Sequence, residues 1–139
     1  MLNNKYVVIA GCGRLGSYLA DQLSRNGNSV VIIDVNDAAF SNLSPDFSGF
    51  RLEGDTTRMA VLNDAKLKLA DILISVTHDD NINLMVAQIA RKLFNVPQIL
   101  ARVFDSKKGE VYADSGIKII SPAAIAAQMF LNAVEAPVK

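Results

Sequence analysis

The sequence is short of cysteine, of histidine and of long apolar runs, and each shortage removes a class of protein. Cys12 is the one cysteine, which excludes an internal disulfide framework and fits a reducing compartment. The longest apolar runs fall far below the ~20 residues that span a bilayer, so no direct membrane insertion is expected. No N-terminal stretch joins a basic flank, an apolar core and a cleavage site, so no signal peptide is expected either. Lys plus Arg and Asp plus Glu both number 14, and nothing basic is denser than pairs such as Arg91-Lys92 and Lys107-Lys108. Binding to a nucleic-acid backbone needs a concentrated positive face, so nucleic acid is not an expected partner. Short-period repeats and low-complexity tracts are missing too.

What is there is one domain's worth of ordinary globular chain: 139 residues, 50% hydrophobic and 20% charged. Short β-branched runs alternate with longer helical ones. Strands are expected at 6–10, 30–34, 50–54, 71–77, 98–103 and 117–120. Helices are expected at 14–26, 36–43, 57–66 and 81–94, and a last one opens at Ser121-Pro122, serine as cap and proline in the first turn. Leu15, Leu19 and Leu23 share one face of the first helix. Ile82, Met85, Val86, Ile89 and Leu93 share a face of the fourth that reads as core. Alternation of this kind implies an α/β fold, a doubly wound parallel six-stranded sheet (Rossmann-like) in a single domain with a C-terminal helix. The domain is expected to occupy 1–134, with 135–139 as a tail.

Between the first strand and the first helix lies "GCGRLG". The first glycine of such a loop permits a tight turn, the second lets backbone N–H groups approach a pyrophosphate, and the third lets helix pack on strand. The helix N-terminus adds its positive dipole end to that anion site. Asp34 follows Gly16 by 18 residues, close to the ~20 expected of a carboxylate that binds the ribose hydroxyls. An acid there repels a 2′-phosphate, so NAD or an adenine nucleotide is expected over NADP. Arg14 stands where the helix dipole disfavours a cation, which favours a phosphate contact over a merely solvated side chain. Cys12 at the same helix start is either a small residue that fits or a redox-active thiolate.

The carboxyl ends of the other strands are where ligands bind in such sheets. "EGDTT" (53–57) offers Asp55 and Thr56, which by themselves read as a turn and helix cap. "THDDNIN" (77–83) carries the only histidine, His78, beside Asp79 and Asp80. Those carboxylates suit a helix N-terminus, or less readily a divalent cation, since the spacing lacks the alternation of a calcium loop. His78 reads as an exposed polar residue. Arg102 in "ARVFD" needs a partner near the end of a buried strand, either a phosphate or a carboxylate such as Asp105 or Asp114.

Together these pieces resemble the N-terminal nucleotide-binding domain of TrkA-type regulators of potassium transport, also called KTN or RCK domains. "GCGRLG", "VVIID", "EGDTT", "THDDNIN", "ARVFD" and "SGIKIISP" carry the likeness over nearly the whole chain. The resemblance implies binding of NAD(H), ATP, ADP or AMP, and assembly as a homodimer or larger ring. It also implies control of a membrane potassium transporter or channel subunit, with the chain cytoplasmic and peripheral to the inner membrane through that partner. By the same resemblance Gly11, Gly13, Arg14, Leu15 and Gly16 lie at the phosphates and Asp34 at the ribose. Asp55 and Thr56 lie near the base, and Thr77, Asp80 and Asn83 line the far side of the cleft. Arg102 reaches a phosphate or a neighbouring subunit, and the last helix, "AAIAAQMFLNAV" (123–134), packs on a partner. Many members of the family continue into a second small domain. This chain ends at Lys139, which implies either a shortened member or a one-domain member with a separately encoded partner.

A dehydrogenase needs a substrate domain and a proton-transfer group set against the nicotinamide. After the sixth strand only 19 residues follow Ile120, and His78 has no orienting constellation beyond its aspartates. The expectation is therefore a non-catalytic sensor. A small NAD-dependent oxidoreductase, or the cofactor half of one, is the alternative, and a scaffold with a vestigial pocket is a third.

Overall fold

A computed structural model describes residues 2–138 of the chain. Strand β1 (Tyr6–Ala10) leads into helix α1 (Arg14–Arg25), β2 (Ser29–Asp34) and a 3-10 turn at Asp37–Asn42. Then come β3 (Phe50–Glu53), α2 (Met59–Asp64), a second 3-10 turn at Leu67–Leu69 and β4 (Ile72–Ser75). The chain continues through α3 (Asp80–Lys92), β5 (Gln98–Arg102), α4 (Ser106–Glu110), β6 (Lys118–Ile120) and α5 (Pro122–Glu135). The six strands form one parallel sheet in the order β3-β2-β1-β4-β5-β6. Strand order reverses between β1 and β4, and that reversal opens a crevice at the carboxyl ends of those strands.

Why β1 sits at the centre is plain from its residues. Val7, Val8, Ile9 and Ala10 are all fully buried, because helices cover both faces of the sheet and neither face can afford a polar side chain. Val8 and Ala10 join one core with Val31, Ile33, Leu62, Leu73 and Val86. Val7 and Ile9 point the other way, into a second core with Cys12, Ala20, Val30, Ile32 and Phe47. Strand periodicity thus divides one run of apolar residues between two layers.

Several elements depart from what periodicity implies. Helix α2 is shorter than 57–66, because Lys66 adopts a left-handed φ of 56° and breaks it. Strand β4 stops at Ser75 rather than residue 77, although Val76 still donates its N–H to the Ala10 carbonyl at 2.8 Å. Beyond that bond the chain turns across the glycine loop. The buried face of helix α3 runs through Asn83, Leu84, Val86, Ala87 and Ala90, and of the expected stripe only Val86 is fully buried. Ile82 and Ile89 are only partly buried, and Met85 and Leu93 are exposed. Ala87 and Ala90, both fully buried, extend that face, and Ile82 and Ile89 pack at its edge.

Helix α4 was not expected; it follows an Asp105 cap whose carboxylate accepts the Lys107 N–H. Helix α5 opens as expected, with Ser121 Oγ accepting the Ala124 N–H and Pro122 at the first position. None of its residues is buried. Ile125, Met129, Phe130, Leu131 and Val134 are all exposed. Among the described residues no helix is long and apolar enough to cross a membrane.

Candidate functional site

A cleft of about 350 Å³ lies where β1 and β4 diverge. Of the residues expected there, Gly11, Gly13, Asp34, Asp55, Thr56 and Thr77 line it. Its floor is the glycine loop. Gly11 has φ +110°, and a Cβ added there would meet the Val76 carbonyl oxygen at 2.8 Å. A Cβ at Gly16 would lie 1.9 Å from the Gly11 carbonyl oxygen. The fold itself therefore demands glycine at both positions.

Gly13 is different. Its φ of −80° suits any residue, and a Cβ there would meet only the His78 ring, with Nε2 at 3.4 Å. It is also the N-cap of α1, where Ser, Thr, Asp or Asn would bond the first turn, and no side-chain cap is made. Packing does not require a glycine at this position. What the glycine leaves is room beside backbone N–H groups at the positive end of a helix, which suits an anion.

Asp34 closes the end of β2. Its Oδ2 accepts the Cys12 N–H at 2.8 Å and its Oδ1 accepts the Asn36 N–H at 2.9 Å. Each oxygen keeps a second lone pair that a hydroxyl can use. Asp55 Oδ1 accepts from both the backbone N–H (2.9 Å) and the hydroxyl (2.7 Å) of Thr57, and those bonds hold its carboxyl below the usual range. Thr56 is buried beside it.

The far wall is a set of buried hydrogen bonds. Asn83, fully buried, accepts at Oδ1 from the Thr77 N–H (2.8 Å) and hydroxyl (2.6 Å). Its Nδ2 donates to the carbonyls of Thr77 (3.0 Å) and Arg102 (2.9 Å). Asp80 accepts the N–H groups of Phe104 (2.8 Å) and Asp105 (3.0 Å). Arg102 donates through one terminal nitrogen to the carbonyls of Val76 (3.0 Å) and Thr77 (3.1 Å), and stacks 4.8 Å from the Phe104 ring centroid. Burial lowers its pKa, with Asp80 opposing the shift, and its Nε is buried without a partner among the described residues. Asp80, Asn83 and Arg102 thus fasten the ends of β4 and β5 and do not line the cleft. Neither Asp105 nor Asp114 is the arginine's partner; backbone carbonyls are.

Arg14, Leu15 and Gly16 also lie outside the lining: Arg14 and Leu15 are exposed on the first turn of α1, and Gly16 is buried against Gly11. Cys12 is fully buried, and burial, reinforced by Asp34 and Asp21, pushes its thiol from 9.0 up to about 11. That environment opposes the thiolate, so a redox role has no support in the geometry and the small-residue reading holds. Asp79 and Asp80 diverge, Asp79 accepting the Asn81 and Ile82 N–H groups as cap of α3. No metal-holding group of three His, Cys, Asp or Glu occurs among the described residues. Sequence reasoning missed Val35, Gly54, His78, Asp79 and Ile82 as lining residues. Their signal was position, since each lies at or just beyond the carboxyl end of a strand beside the crevice.

A reversal in strand order, a glycine loop entering a helix and an acid at the end of the second strand define a doubly wound domain of the dinucleotide-binding type. The TrkA-N domain model matches residues 7–122, and the chain belongs to that family. It is 35% identical over 116 residues to the Trk system potassium uptake protein TrkA of Streptomyces coelicolor, covering 84% of this chain and 52% of that protein. The chain thus spans about half the length of that relative. The TrkA-N domain of the inner membrane protein ybaL of Escherichia coli superposes with a TM-score of 0.83 over 96% of this chain and 98% of that one; at 19% identity it shows the fold. A GsuK channel bound to NAD superposes with a TM-score of 0.77 at 26% identity, covering 96% of this chain and 24% of that one. GsuK bound to ADP gives 0.76 at the same 26% identity, over 96% and 34% of the two chains.

Proposed function

We propose that this chain is a non-catalytic nucleotide-sensing domain that regulates a membrane potassium transporter or channel subunit. In this reading NAD(H) or an adenine nucleotide (ATP, ADP or AMP) occupies the cleft, its phosphates beside Gly11 and Gly13 and its ribose on Asp34. The base lies toward Asp55 and Thr56. The observation that carries the reading is Gly13, a glycine the packing does not require, at a helix start left without a side-chain cap. Membership of the TrkA-N family supports the link to potassium transport, and the NAD- and ADP-bound GsuK structures support the choice of ligand.

Thr77 belongs to the cleft wall, while Asp80, Asn83 and Arg102 act on the ligand only through the wall they hold. Arg14 reaches a phosphate from the rim, with Leu15 beside it. The exposed apolar helix α5 packs against a second copy in a dimer or larger ring, placed at the cytoplasmic side of the inner membrane by the transporter. Nucleotides that fit one arrangement of subunits better than another then shift the population between them.

Native mass spectrometry tests this directly, on the chain alone and with NAD⁺, NADH, ATP, ADP and AMP. An oligomer that retains nucleotide, with affinities that differ among the five, is the expected result. A monomer that binds none of them would overturn the proposal. Sustained NADH consumption with carbonyl substrates would replace it with the oxidoreductase alternative.

A further inference from the structure

Three carboxylates, Asp34, Asp55 and Asp79, line the cleft, and neither a lysine nor an arginine does. An anionic ligand entering there faces unfavourable charge on several sides. His78 is the one lining side chain able to become a cation or to donate from a ring nitrogen. It stands at the mouth of the cleft, exposed, on the turn between β4 and α3. Flanking bonds hold that turn: Thr77 is anchored on Asn83, and Asp79 caps α3. The ring edge, Nε2 and Cε1, faces Gly13, at 3.4 and 3.7 Å from where a Cβ would stand. Gly13 and the imidazole edge therefore stand side by side at the cleft mouth, in contact range of one another, next to the first turn of α1.

The carboxylates around it are already engaged. Asp34 accepts from Cys12 and Asn36, Asp55 from Thr57, and Asp79 from Asn81 and Ile82. Helix α1 presents no acid in its first turn and contributes only Arg14, outside the lining.

We propose that His78 is a ligand-contacting, specificity-determining residue, whose Nε2 donates to a phosphate oxygen seated at Gly13. The inference rests on the nucleotide-binding reading above. His78 makes the site selective for phosphate-bearing ligands over the bare nucleoside, closing over the anion beside the helix N-terminus.

Isothermal titration calorimetry with adenosine, ADP and NAD⁺ tests it, on the unaltered chain, His78→Ala and His78→Arg. His78→Ala is expected to weaken ADP and NAD⁺ by about tenfold, the scale of one hydrogen bond to a charged group, and to leave adenosine unchanged. His78→Arg, which restores an N–H donor, is expected to recover most of that loss. The melting temperature without ligand should not move, because the side chain is exposed. Equal losses for adenosine and ADP, or unchanged ADP and NAD⁺ affinity in His78→Ala, would overturn the role of His78 while leaving the nucleotide reading intact. An unaltered chain that binds none of the three would overturn both.

Discussion

Adding a methyl group to each glycine of the loop in turn separates the demands of the fold from those of a ligand. Gly16→Ala would drive a Cβ to 1.9 Å from a backbone oxygen, and is expected to cost about 3 kcal/mol in urea denaturation. Gly13→Ala meets nothing closer than 3.4 Å, and is expected to change stability by no more than ~1 kcal/mol. The same substitution should weaken ADP and NAD⁺ by at least tenfold in calorimetry. Unchanged binding in Gly13→Ala would remove the loop from the phosphate site. At this scale the sequence was uneven in what it disclosed. The glycine spacing and Asp34 were legible because the backbone turn and the strand end both follow from local pattern. Whether a polar residue faces the ligand or its neighbours was not. Asp80, Asn83 and Arg102 form one network across 19 to 26 residues of separation, and no local signal tells an inward carboxylate from an open one. His78 is the converse case: exposed, as expected, yet directed at Gly13.

The elements that hold the cleft open owe their positions to single polar residues as much as to apolar packing. Asn83 joins the end of β4 to the end of β5, with both its oxygen and its amide in use, and Arg102 adds a second tie between them. Asn83→Ala takes the partner from the Thr77 N–H and the Arg102 carbonyl, while the Thr77 carbonyl keeps Arg102, and is expected to cost about 3 kcal/mol. Asn83→Asp keeps the acceptor and loses the donor, and should fall between the two in chemical denaturation. A loss below ~0.5 kcal/mol for the alanine variant would show the fastening to be idle. Continuous β-branched runs made β1 and β2 readable, and period-3.6 patterns did the same for α1 and α3. Helix α4 was not, because Ser106–Glu110 has no apolar stripe and is set by the Asp105 cap. The inner face of α3 was legible only in part for a related reason: Val86 is buried as expected, while Met85 and Leu93 are exposed. Hydropathy weights Met85 and Leu93 above Ala87 and Ala90, whereas the alanines are the ones buried.

For the molecule as a whole, α5 is the element out of balance. Apart from Gln128, Asn132 and the closing Glu135 it is apolar or small all round, and it buries nothing within its own chain. A helix of that composition is stable when surrounded. If it packs on a second copy, Phe130→Asp combined with Val134→Asp should convert a self-associating chain into a monomer in sedimentation velocity. A variant that sediments like the unaltered chain would place the contact elsewhere. The parallel sheet was legible from the alternation of elements, whereas the exposure of α5 was suggested only by the family resemblance, since apolar content alone cannot say which molecule supplies the cover.

The glycine loop grows directly out of β1, four of whose five residues are fully buried and divided between both cores. Amide hydrogens on such a strand exchange only when the entire domain opens. The strand beneath the glycine loop is therefore a rigid support. If occupancy of the cleft is signalled onward as proposed, such a support favours displacement of intact pieces over local disorder as the route.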